Sequence, residues 1–126
     1  MEREERTAGR RVLVCGGRDY QDWLAVAGIM RRVHDSSPIG LIIHGCDPGA
    51  ATLAVRWARV AGVPTSGFDA DFRSHGPAAE RLRNERTIVE SKPDLVIAFP
   101  GGEGTADLVS RAKAAGVPVE QAYRTD

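Results

Sequence analysis

The sequence predicts a single Rossmann-like α/β domain, an open and mostly parallel sheet of about five strands with helices on both faces. Short apolar runs of strand length fall at residues 11–15, 40–44, 63–67, 94–99 and 117–120. The intervening stretches carry apolar residues at helical spacing. Glycine and proline punctuate the joints, as at Gly62-Val63-Pro64 and again at Gly116-Val117-Pro118. Such alternation implies parallel strands joined by right-handed helical crossovers.

Taken in order, Arg11-Val-Leu-Val-Cys15 reads as the first strand. The segment 21–34 places Trp23, Leu24, Val26, Ala27, Met30 and Val33 on one helical face, with Arg31, Arg32 and Asp35 opposite. Leu41-Ile-Ile-His44 is the second strand, and Asp47 before Pro48 reads as an N-cap with proline at the first helical position. That helix runs from Ala50 to Ala61 and stops at Gly62. Leu95 to Phe99 has the residue types of a strand buried on both faces, ended by Pro100. Glycine closes the last long helix at Gly116, and an edge strand follows. Trp23 and Trp57 fit helix faces turned to the core. Met1 to Arg10 is highly charged without an apolar core, so it is expected as a flexible leader to one domain over 11–126 rather than a signal peptide.

A chain of 126 residues buries roughly two thirds of its unfolded surface in one core. Its 17 Lys and Arg balance 17 Asp and Glu, which argues against a protein built mainly to hold nucleic acid. Small anionic ligands remain allowed, and no apolar run is long enough to span a bilayer. Cys15 and Cys46 do not make a secreted disulfide framework, and reduced thiols in a cytoplasm are the simpler expectation. A metal site using these cysteines and His44 fits no zinc spacing, so no metal and no cofactor is expected.

The chemistry concentrates in Gly-rich turns between strand and helix. In Pro100-Gly-Gly-Glu-Gly-Thr105, Gly101, Gly102 and Gly104 lack the Cβ atoms that would block backbone approach to an anion. Thr105 and Asp107 stand where the next helix begins, so free N–H groups and the positive dipole end face the turn. Gly16-Gly17-Arg18-Asp19-Tyr20 follows the first strand, and Gly45 and Gly49 follow the second. Glycines at such places also serve tight turning alone, but three turns of one chemistry converge beyond the carboxyl ends of the strands, where open parallel sheets bind ligands. A small phosphate-containing ligand is the expectation. The G-x-G-x-x-G fingerprint is absent after the first strand, which argues against an ordinary NAD dehydrogenase, and no P-loop Lys-Ser/Thr pair follows any turn.

The segments RVLVCGGRDY (11–20), HGCDPGA (44–50), RLRNERT (81–87) and KPDLVIAFPGGEGTADLV (92–109) resemble the SLOG superfamily, in its YspA-like branch, from about Arg11 to Val119. That superfamily includes the Lonely Guy phosphoribohydrolases, which cleave nucleoside 5′-monophosphates, the DNA-processing protein DprA, and members regarded as sensors of nucleotide-derived ligands. The resemblance implies nucleotide or nucleotide-derivative binding. As alternatives it allows N-glycosidase activity or DprA-like DNA binding, and it implies a homodimer through the helices around residues 77–115. Leu108 stands where the phosphoribohydrolases carry a glutamate, and Cys46 and Ala51 replace a glycine and an acidic residue of the second turn. Glycosidic cleavage needs a carboxylate beside the ribose. Arg83, Asp107 and Glu103 are the candidates left to improvise a catalytic role.

For ligand contact the candidates are Gly16, Gly17, Arg18, Tyr20, Gly45, Gly49, Arg83, Asn84, Arg86, Gly101, Gly102, Gly104 and Thr105. Arg18, Arg83 and Arg86 carry guanidinium groups that match phosphate. The plainer reading makes Glu80, Arg81, Arg83, Glu85, Arg86 and Glu90 a solvated helix face. Tyr20, Phe68 and Phe72 offer faces for a base or simply pack at the rim. His44, ending a buried strand, is expected as a neutral hydrogen-bonded imidazole.

Overall fold

The computed structural model describes residues 9–122, so Met1 to Ala8 of the expected leader lie outside the described residues. Arg10, assigned to that leader, instead opens the first strand, β1 (Arg10–Cys15). Its guanidinium donates to the carbonyls of Val33 and Ser37 at 2.7 and 2.5 Å, which ties it to the end of the first helix. The remaining elements are α1 (Trp23–Ser36), β2 (Ile39–His44), α2 (Ala50–Ala61), β3 (Thr65–Gly67) and α3 (Phe72–His75). After a 3-10 turn come α4 (Ala79–Ser91), β4 (Leu95–Ala98), α5 (Glu103–Ala114) and β5 (Val119–Gln121).

The sheet is five-stranded in the order β3-β2-β1-β4-β5, with every pairing parallel. Val12 stands opposite Ile42 on one side and Leu95 on the other, which makes β1 the central strand. The chain winds outward from β1 to β3 and then crosses to β4, so strand order reverses between β1 and β4. A cleft opens there because the helices on either side depart in opposite directions.

Alternation along β1 sorts the core into two layers. Val12 and Val14 pack with Val26, Met30 and Val33 of α1 and with Ala54, Trp57 and Ala58 of α2. Leu13 faces the other way, onto Ile88 of α4 and Leu108 and Ala112 of α5. Burying each large apolar side chain of this kind contributes about 1.5–3 kcal/mol, so both layers are needed to offset chain entropy.

Helix α2 departs from the expected start. It begins at Ala50, with Gly49 at the cap in a left-handed conformation (φ 85°), and no side chain caps it. Asp47 is therefore not the N-cap: its backbone carbonyl accepts from the Thr52 hydroxyl, and its carboxylate turns inward. The helix does end as expected, at Gly62 with φ 77°. Trp57 is core, while Trp23 is only partly buried and carries the Arg56 guanidinium over its ring at 4.1 Å.

Candidate functional site

Three loops, after β1, β2 and β4, meet helix α4 over the β1–β4 reversal and line a cavity of about 730 Å³. The turn after β1 and the turn after β4 pack backbone to backbone. Gly17 N donates to the Pro100 carbonyl at 2.8 Å, and a Cβ on Gly101 would lie 2.7 Å from Gly17 N as well as striking the Thr105 hydroxyl. On Gly16 a Cβ would reach the Ala50 Cβ at 2.6 Å. Gly49 faces the Gly17 carbonyl, which also accepts from Ala50 N at 3.1 Å. These glycines let the loops touch one another.

Gly102 is different. Nothing approaches the position of its missing Cβ, it precedes α5 directly, and no side chain caps that helix. The first N–H groups of an α-helix have no intrahelical acceptor. At α5 those groups open toward the cavity, whose lining includes Gly101, Gly102, Glu103, Gly104 and Thr105.

Arg83 lies at the centre of the opposite wall. Its side chain is only 5% exposed and every arm is engaged. Nε donates to the Asn84 side-chain oxygen at 3.0 Å, and Nη1 donates to the carbonyls of Gly45 and Phe68 at 2.6 and 3.2 Å. Nη2 donates to Asp47 at 3.1 Å and stands 3.6 Å from Glu80. The second Asp47 oxygen accepts from Arg18 at 3.1 Å. Asn84 in turn donates to the Gly104 carbonyl and to Asp107 at 3.1 and 3.0 Å, and Arg111 completes the chain on Asp107 at 2.9 Å. One polar network thus spans all the loops of the cavity. Burial alone would raise the Asp107 carboxyl, but hydrogen bonds from Arg111 and Asn84 outweigh it and hold the group below its ordinary range.

Of the residues expected at a site, Gly16, Gly17, Arg18, Tyr20, Gly45, Arg83, Asn84, Gly101, Gly102, Glu103, Gly104 and Thr105 line this one cavity. Three do not. Gly49 lies behind, as a spacer against the first turn. Asp107 is spent on Asn84 and Arg111. Arg86 donates to the Asp69 carbonyl at 3.1 Å, lies over the Phe68 ring, and lines a separate small hollow. Arg83 is present but not as a free phosphate grip, because its donors are consumed within the protein.

Asp19, Asp47 and Glu80 also line the cavity and were not expected there. Asp47 was hidden by its resemblance to a helix cap, and Glu80 by its place in a charged helical run. The legible signal was spacing: Glu80 precedes Arg83 by one helical turn, which puts the two on one face. Tyr20 packs against Phe99 with the rings tilted and their centres 5.5 Å apart, while Phe72 is exposed and away from the cavity.

Cys15 lines the cavity and Cys46 does not; burial pushes the Cys15 thiol up to about 12, with Arg83 opposing in part. It is a neutral thiol at physiological pH. His44 accepts from Cys46 N at 3.0 Å through Nδ1, and desolvation lowers its pKa against the opposing pull of Asp47 and Asp69. The neutral ring is the form that can accept this bond. Among the described residues no group of three or more His, Cys, Asp or Glu is placed to hold a metal ion, and no helix is long and apolar enough to cross a membrane.

Residues 10–75 match the model of the YspA, cpYpsA-related SLOG family. The chain belongs to that family. The gene 61 protein of Mycobacterium phage D29 is 38% identical over 124 residues, covering 87% of this chain and 94% of that one. Among solved structures, DNA processing protein A (DprA) from Streptococcus pneumoniae superposes with a TM-score of 0.69 at 17% identity, over 89% of this chain. MurG from Acinetobacter baumannii gives 0.57 at 15% identity, also over 89%. The chain spans only 50% of that DprA chain and 34% of MurG, and likeness at these identities is one of fold. The match to the SLOG family covers β1, β2 and the turns after them; the open turn before α5 lies beyond it.

Proposed function

We propose that this SLOG-family chain binds a phosphate-bearing nucleotide or nucleotide derivative at the β1–β4 reversal. The observation that carries the reading is the uncapped N-terminus of α5 behind Gly101 and Gly102, opening into a cavity of about 730 Å³. Free N–H groups and the helix dipole favour an anion there. A volume of this size falls in the range of small-ligand sites, and Tyr20 at the rim supplies an apolar face beside it. Calorimetric titration with nucleoside monophosphates and ADP-ribose tests the reading; absence of heat at millimolar ligand would remove it.

One observation supports a second reading, cleavage of an N-glycosidic bond. Leu108 occupies the wall where the phosphoribohydrolase pattern has a carboxylate, but Glu80 and Glu103 line the same cavity from neighbouring elements. Either carboxylate can stabilise positive charge developing on a ribose. Incubation with nucleoside monophosphates and chromatography for free base decides it. Ligand bound without base released leaves the chain a binding domain.

A further inference from the structure

The missing Cβ of Gly104 was expected to leave room for an anion. The carboxylate of Glu80 fills it: a Cβ there would strike Glu80 Oε2 and stand 2.7 Å from its Cδ. Glu80 reaches this place from α4, leaning on the first turn of α5 with Arg83 Nη2 at 3.6 Å on its other side. Its side chain is 40% exposed and borders the cavity.

We infer that Glu80 selects ligands by charge, admitting a single phosphate at the α5 turn and turning away diphosphates. The inference rests on the phosphate reading above and narrows it. The charged side chains lining the cavity are Asp19, Asp47, Glu80 and Glu103 against Arg18 and Arg83. Arg83 is consumed by protein acceptors, and Arg18, 59% exposed, is held by Asp47. The lining thus sets four carboxylates against two guanidinium groups, and of these only Arg18, with one nitrogen bonded to Asp47, keeps donors that could meet a second phosphate. A phosphate monoester carries about −1.5 to −2 at neutral pH, which an open helix turn can meet. A further phosphate brings another negative charge into a wall that already holds Glu80. At a partly exposed position that repulsion weakens binding by about tenfold.

The test titrates AMP and ADP, each with and without Mg²⁺, into the intact chain and into Glu80→Gln, which keeps shape and removes charge. The wild type is expected to bind AMP at least about tenfold more tightly than ADP in EDTA, and Glu80→Gln to bring the two within about twofold by strengthening ADP. Glu80→Ala should shift the ratio in the same direction, which excludes an effect of the glutamine amide itself. An unchanged ratio in both variants while AMP still binds overturns charge selection and leaves the phosphate site standing. ADP binding that appears only with Mg²⁺ and disappears in Glu80→Gln also overturns it, because Glu80 would then hold a cation. Failure of all forms to bind AMP or ADP removes this inference, and the phosphate reading falls with it when ADP-ribose also gives no heat.

Discussion

The turns after β2 and after β4 look alike in sequence, each an apolar strand running through glycines into a helix, yet they are filled in opposite ways. At Gly45 the space left by the missing side chain is taken by the Arg83 guanidinium. At Gly102 it is left open, and the helix beyond has no cap. The first turn is closed by a protein cation, whereas the second keeps open space at Gly102 even though Gly101 packs on Gly17 and Glu80 lies against Gly104. A Gly-rich turn thus reports only that something comes close to the backbone. Whether that partner is another loop, a buried arginine or a ligand depends on what the rest of the chain brings there.

Removing the guanidinium breaks the comparison most severely. Arg83→Met leaves the Gly45 carbonyl, the Asn84 side-chain oxygen and one of the two Asp47 oxygens without the guanidinium donor, and should lower unfolding free energy in urea by about 2–4 kcal/mol. Arg83→Lys should recover only part of this, since one ammonium cannot cover acceptors spread around a planar fork. Gly101→Ala comes next. Its Cβ would press on Gly17 N and Thr105 and separate the two turns, at a cost of about 1–3 kcal/mol measured the same way, with ligand binding lost alongside.

Gly102→Ala sharpens the contrast, because nothing in the protein occupies that space. Stability should stay within about 0.5 kcal/mol of wild type, while AMP affinity in calorimetry falls by about tenfold if the anion approaches there. Unchanged affinity would place the ligand elsewhere.

The smallest effect concerns His44 at the end of β2. Its folded pKa lies below the ordinary 6.5, so the unfolded chain binds the proton more readily. Stability is fully present above pH 6.5 and declines as pH falls from 6.5 through the folded value. His44→Asn keeps an acceptor for Cys46 N and does not titrate. Its urea midpoint should be flat over that interval, where the wild-type midpoint falls slightly as the pH is lowered.

Much of the architecture was legible because strand and helix periods write themselves directly into apolar spacing. The runs at 11–15 and 40–44 each fall within one residue of β1 and β2, and Gly62 ends α2 where expected. The cavity was legible in part, since loops at the carboxyl ends of parallel strands must gather on one side of the sheet. The partners of the charged residues were not. Asp47-Pro48 has the local chemistry of a helix start, but an Arg83 buried 36 positions away outbids the helix for that carboxylate. Arg86 looks equivalent to Arg83 in the string Arg81-Leu-Arg-Asn-Glu-Arg86, but it stands about one turn further along α4 and donates to the Asp69 carbonyl instead.

By itself the sequence determined the alternation of strands and helices, the two-sided core and the placement of glycine turns at one edge of the sheet. These depend on local periodicity and backbone freedom, which near neighbours in the chain settle. Only the tertiary structure decided which turn is open, which arginine is consumed and that Glu80 leans on the first turn of α5. Those outcomes depend on distances between residues remote in sequence, and on competition among several donors for the same few oxygens.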